Sequence, residues 1–418
     1  MRLLYLNPTG QLGGAETSLL AILSSVRQME PSWPLHLVIA GDGPLKTAAA
    51  ALGVTTTVLP LPSAVAKLGE HGARADAGGY LRLAANLARA SFGVPAYVAQ
   101  LGRAIRSFRP DVIHTNGLKM HLLAGWATSS VPVVWHLHDY LGSRPLTAAL
   151  LRGSRSRCAA IVANSMSVAN DAREAIGRDV KIVAIYNAVD LDRFSPTGTR
   201  IDLDSLADVA SAPEGTIRVG LLGTFARWKG HETFLRAIAR LTRELPVRAY
   251  VIGDALYQTE GSQYSGEELR RLAQSLGIAD RVGFTGLVRA SDAAIRALDI
   301  VVHASTLPEP FGLVIAEAMA CGRAVIVSRA GGAAELVSHD VDALTHTPGD
   351  VDELAARIAA LAADASLRAR LGAAARATAE RAFDQTRLAI EIVPIYASAV
   401  SARLSSLNVQ PAATGGGR

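Results

Sequence analysis

The 418 residues exceed what one ordinary core needs and suit two domains of ~200 residues. Half are apolar, many of them Ala, and only 19% are charged, which excludes a disordered chain and favours helix-rich α/β packing. The net charge of +5 is uneven: 18 Lys/Arg against 11 Asp/Glu up to Asp190, then 24 against 26, so an anionic partner would meet the first half.

The two cysteines, Cys158 and Cys321, form no C-x-x-C pair or Cys/His cluster. Neither a disulfide framework nor a zinc site can be read from them, and their usage fits a reducing cytoplasm. The first apolar run stops at Asn7 and Pro8, too short for a signal peptide. The longest uncharged stretch, 47–66, is broken by Gly53, Pro60 and Pro62 and reads as helix end, strand and loop rather than a membrane span.

Short β-branched runs alternate with amphipathic stretches from end to end, the pattern of parallel sheets with crossover helices. Strands are expected at 2–7, 35–41, 55–59, 111–115, 131–137, 159–164 and 181–186. A second series is expected at 217–223, 247–253, 282–285, 299–303, 324–328 and 343–345. Between them, 190–215 is rich in Asp, Ser, Pro and Gly and reads as a linker. The expected organisation is a first domain at 1–190, a linker at 191–215 and a second domain at 216–383. A helix at 384–407 would cross back to the first domain, and 408–418 would form a disordered tail. Open α/β sheets bind ligands at the carboxyl ends of their strands, so two facing sheets would hold one in the cleft between them.

The strongest local signal is EPFGLVIAEAMACG at 309–322. Its two carboxylates, Glu309 and Glu317, are eight residues apart, ~12 Å along a continuous helix, too far for a double-displacement glycosidase pair at roughly 5–5.5 Å. Pro310 also pushes Glu309 out of helical conformation. The expected picture is Glu309 on a loop, a helix starting near Phe311 and Gly312, and Glu317 in its second turn. The helix N-terminus would face a phosphate, and the two glutamates would accept hydroxyl hydrogen bonds on either side. By spacing alone the segment is equally an ordinary loop-to-helix transition.

Other motifs stand in register with it. Gly13, Gly14, Ala15 and Glu16 follow the first strand, where the glycines admit close backbone approach and a helix opens behind. The run is not G-x-G-x-x-G, which disfavours a dinucleotide site. PVVWHLHD at 132–139 ends a strand on His138 and Asp139; His136 and His138 share one face, and Asp139 could orient His138 or cap the strand. His114 is a weaker histidine candidate. Then come NAVD at 187–190 with Phe194, GTFARWKG at 223–230, and GGAAE at 331–335.

In this order and spacing, over roughly 1–400, the chain resembles the retaining group 1 (family 4) glycosyltransferases. That resemblance implies the GT-B fold: two facing Rossmann-like domains with an interdomain cleft. It implies transfer of a hexose-type sugar from a nucleoside-diphosphate sugar, with retention, to a glycan, lipid-linked or small-molecule acceptor. Glu309, His138, Lys229 and Arg227 would be the catalytic residues. Gly13, Gly14, Gly312, Leu313, Glu317, Gly253 and Val282 would bind the donor, with the base near 251–254 and 281–285. The family's Arg after the first glycine of GTFARWKG is Thr224 here, so Arg227 would replace it. The leaving phosphate would help deprotonate the acceptor, and no metal or other cofactor is expected. Four Asp-x-Asp triplets, starting at Asp190, Asp202, Asp340 and Asp350, lie in linker or surface contexts.

A basic run from Lys67 to Arg109 and a second at Arg144, Arg152, Arg155 and Arg157 raise peripheral contact with an anionic membrane. The expected location is the cytoplasm, with the inner membrane face as an option. No basic-aromatic platform or groove-reading motif suggests nucleic acid. Two other readings stay open: a nucleotide-sugar 2-epimerase of similar fold, and a non-catalytic sugar-nucleotide-binding protein.

Overall fold

The computed structural model describes residues 1–62, 65, 77–255 and 261–408, without the side chains of 77–92 and 406–408. Lys67, Glu70, Arg74, Asp76 and the expected tail beyond 408 lie outside the described residues, as do the side chains of Arg82 and Arg89. Two compact units are present: Met1–Tyr186 with Gln385–Arg418, and Asn187–Asp384.

The first unit is built on seven parallel strands: β1 (Leu3–Asn7), β2 (Leu35–Ile39), β3 (Thr55–Val58), β4 (Val112–Asn116), β5 (Val133–Leu137), β6 (Cys158–Ala163) and β7 (Ile182–Ala184). Their order is β3-β2-β1-β4-β5-β6-β7. Sequences such as LLYLN in β1 and VVWHL in β5 are buried at every position, as a parallel sheet covered on both faces requires. Helix Gly14–Met29 buries Leu19, Ile22, Leu23 and Val26, one stripe at helical spacing.

The last helix, Arg387–Asn408, belongs to this unit. By length and composition its Arg387–Ser405 stretch could cross a membrane. In the structure Leu388, Ile392, Ile395 and Tyr396 are buried. Tyr396 OH lies 2.9 Å from His114 Nδ1, and Ala389 N donates to Ser25 Oγ at 2.9 Å.

The second unit has six parallel strands: β8 (Ile217–Leu222), β9 (Val247–Ile252), β10 (Val282–Gly286), β11 (Ile300–His303), β12 (Ala324–Ser328) and β13 (Leu344–His346). Their order is β10-β9-β8-β11-β12-β13. In both sheets the order reverses once, between β1 and β4 and between β8 and β11. At such a reversal the crossover helices leave to opposite faces and open a crevice at the strands' carboxyl ends.

The segment 191–215 packs within the second unit. Phe194 and Leu203 are buried, and Asp204 is 2% exposed. The Asp204 carboxylate accepts hydrogen bonds from Tyr250 OH at 2.6 Å, Arg248 Nη1 at 2.8 Å and Ala212 N at 2.9 Å. The Asp- and Ser-rich composition supplies a buried ion pair and capping turns. The Asp-x-Asp triplets have similar local work: Asp190, Asp202 and Asp350 accept from backbone N–H groups two or three residues on.

Candidate active site

In the second unit, chemistry collects where β8 and β11 part. The loop after β8 tightens into a 3-10 turn, Arg227–Lys229. Gly230 follows at φ 78°, where an added Cβ would stand 1.9 Å from the Ala304 carbonyl oxygen. Only glycine permits this approach, which brings the turn against the end of β11. Lys229 Nζ then lies 2.5 Å from Glu309 Oε1 and 4.4 Å from the centre of the Trp228 ring.

Glu309 Oε2 is held from the other side. His303 Nε2, at the end of β11, is 2.7 Å away, and Ser305 Oγ donates at 2.7 Å. Ser305 is fixed through its carbonyl, which accepts from Ser328 Oγ at 2.6 Å. The Glu309 backbone pairs with Gly331 in an isolated bridge, so the GGAAE segment supports the same loop. Glu309 is 6% exposed. Burial alone would push its carboxyl up, but the Lys229 charge and then His303 hold it well below the usual carboxylate range.

Beyond Glu309 the helix Leu313–Ala320 starts at Gly312, whose φ is 92°. Its first N–H groups follow directly on the Glu309 loop, suited to an anion. Glu317, half-buried within this helix, has the opposite electrostatics to Glu309. Burial raises its carboxyl to about 7, Arg193 opposes the rise and Asp292 adds to it.

Two residues expected at the donor have other neighbours in the structure. Arg227 does not join Lys229: its guanidinium pairs with Glu268 at 3.3 Å, donates to the Gly261 carbonyl at 3.1 Å and lies over Tyr264 at 4.3 Å. Val282 begins β10 and is 5% exposed in the hydrophobic core, at the strand end away from Gly253. The β10 residue beside Gly253 is Gly286, whose carbonyl accepts from Gly253 N at 3.0 Å. Gly253 has φ 145°, and an added Cβ would meet the Gly223 oxygen at 1.9 Å. The close packing of the β8 and β9 ends therefore demands this glycine.

In the first unit the crevice between β1 and β4 holds a chain of polar side chains. Gly13 N donates to Glu16 Oε2 at 3.1 Å, and Asn7 Nδ2 donates to Glu16 Oε1 at 3.2 Å. Asn116 Nδ2 donates to Asn7 Oδ1 at 2.7 Å, and its Oδ1 lies 2.6 Å from His138 Nε2. The glycine loop, with Gly14 opening the helix, is thus linked to His138 through two buried asparagines. Burial lowers His138 to about 4, so the imidazole is neutral at ordinary pH and donates its Nε2 proton to Asn116. Asp139 does not orient His138; it faces Arg144 at 3.4 Å and is half exposed. His114 is taken up by Tyr396.

Residues 205–378 match the model of the glycosyl transferases group 1, and residues 45–193 match that of glycosyltransferase family 4. A D-inositol 3-phosphate glycosyltransferase of Xylanimonas cellulosilytica is 32% identical over 316 residues, covering 70% of this chain and 73% of that protein. The chain is a group 1 glycosyltransferase. The lipopolysaccharide core biosynthesis glycosyltransferase LpsD of Rhizobium meliloti is 28% identical over 306 residues, 73% of this chain and 80% of its own. The Anabaena protein HepE, solved with UDP, matches at 27% identity and a TM-score of 0.77, over 95% of this chain and all of that one. The two parallel-sheet units are the Rossmann-like domains of the GT-B fold.

The sequence reading of this glycosyltransferase missed Asn7, Asn116, His303 and Ser305. For Asn7, Asn116 and His303 the signal is a polar residue closing a strand, as in LLYLN and IVVH, and Ser305 follows two residues beyond such an end. It points to a function for the strand end without saying which partner it meets.

Proposed function

We propose that this glycosyltransferase moves a hexose-type sugar from a nucleoside-diphosphate donor to a hydroxyl acceptor with retention of configuration. The observation that carries the reading is the Lys229–Glu309 pair, pinned by His303 and Ser305 beside the helix N-terminus at Gly312 and Leu313. HepE, solved with UDP and also with UDP-glucose, supports a nucleotide-sugar donor and makes UDP-glucose the first donor to test.

In this reading Lys229 turns from Glu309 to the diphosphate and neutralises charge as the anomeric C–O bond breaks. The Gly312 and Leu313 amides assist, Glu309 accepts a sugar hydroxyl, and Glu317 accepts from the ribose. The acceptor oxygen bonds the anomeric carbon on the face that the diphosphate leaves, and the acceptor proton passes to the leaving phosphate. The Arg227 guanidinium reaches the diphosphate only by leaving Glu268. No metal takes part. Gly13 and Gly14 contact the donor and His138 takes part in catalysis; the first unit takes a glycan, lipid-linked or small-molecule acceptor, and the enzyme works in the cytoplasm with its basic first unit at an anionic membrane.

The test is acceptor-dependent UDP release from UDP-glucose. Lys229→Ala and Glu309→Gln should each lower it by about 100-fold or more with melting behaviour retained, and wild-type rates in either would sink the assignment. Activity lost in EDTA and restored by a divalent ion would overturn the metal-free reading.

A further inference from the structure

Between Arg227 and Lys229 in the 3-10 turn stands Trp228, half-buried. Lys229 Nζ lies over its indole, 4.4 Å from the ring centre, and 2.5 Å from Glu309 Oε1. The ammonium therefore has two partners of different kinds, one an anion and the other a neutral aromatic face. The Trp228 backbone is anchored too. Its carbonyl accepts from Thr306 N at 2.7 Å and from Thr306 Oγ1 at 3.2 Å. Thr306 belongs to the loop between β11 and Glu309, and Gly230 packs on the Ala304 carbonyl of that same loop. The residues before and after Lys229 are thus both fixed to the loop that carries Glu309.

A donor affects the two partners differently. Glu309 competes with a diphosphate for Lys229, so its hold is lost when the donor binds. The indole carries no net charge and attracts a cation through its ring quadrupole, whichever anion stands on the other side. The Lys229 stem is flexible, and an ammonium released from Glu309 must be ordered again before it can serve. The Lys229 side chain is 20% exposed. A bound diphosphate would cover that remainder, and cation–π attraction strengthens as water leaves. The contact with Trp228 therefore gains on donor binding while the contact with Glu309 is given up.

We propose that Trp228 is a positioning residue for sugar transfer: its indole face keeps the Lys229 ammonium in place as it turns from Glu309 to the leaving diphosphate. The role rests on the donor reading, in which Lys229 meets the diphosphate. It requires an electron-rich face rather than bulk. Packing alone would be served by any large apolar side chain, whereas a cation is held best by indole, less well by phenyl and not by an aliphatic group. Because Trp228 acts through Lys229, its contribution vanishes when Lys229 is removed.

The experiment titrates UDP calorimetrically into the full chain. Trp228→Leu should weaken UDP binding by about 3- to 10-fold and Trp228→Phe by about 2-fold. Mono-, di- and trifluorotryptophan, incorporated at position 228 alone, keep the shape of the ring while drawing charge from its face. Affinity should fall stepwise along that series with melting behaviour retained, which a packing role would not produce. In the Lys229→Ala background, Trp228→Leu should have no further effect. Weakened binding by Lys229→Ala with unchanged binding by Trp228→Leu, or a flat fluorinated series, overturns the role of Trp228 and leaves the donor reading standing. An undiminished effect of Trp228→Leu in the Lys229→Ala background also overturns it, because the ring would then touch the donor itself. UDP binding by Lys229→Ala equal to that of the unaltered chain removes the donor reading, and this role with it.

Discussion

Lys229 Nζ lies 2.5 Å from Glu309 Oε1, so the cation that would meet a diphosphate is already neutralised by the carboxylate that would meet the sugar. A donor must compete with Glu309 for Lys229. Replacing Glu309 with Gln removes the competing charge and keeps an acceptor oxygen in place. UDP should then bind about 3- to 10-fold more tightly, the scale of one partly screened charge pair, while turnover falls. Glu309→Ala is a poorer probe, because it strands His303 and Ser305 and breaks a buried pair at a cost of about 3–5 kcal/mol. Calorimetric titration with UDP checks the prediction, and weaker binding by Glu309→Gln would refute the competition.

His303 and Ser305 both hold Glu309 Oε2, at 2.7 Å each, leaving Oε1 as the working oxygen. They act as positioning residues. His303→Ala should lower kcat by about tenfold, the scale of one hydrogen bond to a charged group, with little change in donor KM. His303→Gln, which can still donate, should recover part of the loss. An equal fall in both variants, or a change confined to KM, would remove the positioning role.

How much of this was legible in the sequence depends on the kind of residue. All thirteen expected strands are present, because buried parallel strands leave near-continuous apolar runs such as AVIVS at Ala324–Ser328. The loop-to-helix transition at Gly312 was legible from Pro310 and the glycine. Side-chain direction was not. Arg227 and Lys229 are two residues apart, yet one reaches Glu268 and the other Glu309, contacts 41 and 80 residues away in sequence. Val282 opens β10, at the end away from Gly253, and a strand's apolar pattern does not say which of its ends faces a ligand. Asp204 was hidden for the same reason: its partners Arg248 and Tyr250 are 44 and 46 residues distant.

The first unit carries an acid-sensitive core. Burial lowers His114 to about 3 and His138 to about 4, and pushes His121 and His136 well below the ordinary value of 6.5. Tyr396, Thr115 and Asn116 accompany three of them, while the nitrogens of His136 have no hydrogen-bond partner among the described residues. The unfolded chain binds more protons than the folded one between about pH 4 and 6.5. Stability is therefore full above 6.5 and falls as pH drops through that window, by up to about 1.4 kcal/mol per pH unit for each histidine. The urea midpoint should fall between pH 7 and 5.5, and His121→Phe should flatten the slope. An unchanged midpoint would mean that these rings take up protons without unfolding.

Glu317 gives the donor reading its own pH signature. Burial raises its carboxyl from 4.5 to about 7, so near neutrality the group is half protonated. Only the carboxylate accepts from both ribose hydroxyls, so UDP should bind better as pH rises through 7 and level off above it. For folding the sign is reversed. The folded state binds the extra proton between about 4.5 and 7, so Glu317 withdraws stability as pH rises across that range. UDP itself titrates nearby, and the comparison with Glu317→Gln removes that contribution because both proteins meet the same ligand. The Gln variant should bind UDP more weakly above pH 7 and show a shallower rise between pH 6 and 8. Identical slopes in the two proteins would take Glu317 away from the ribose.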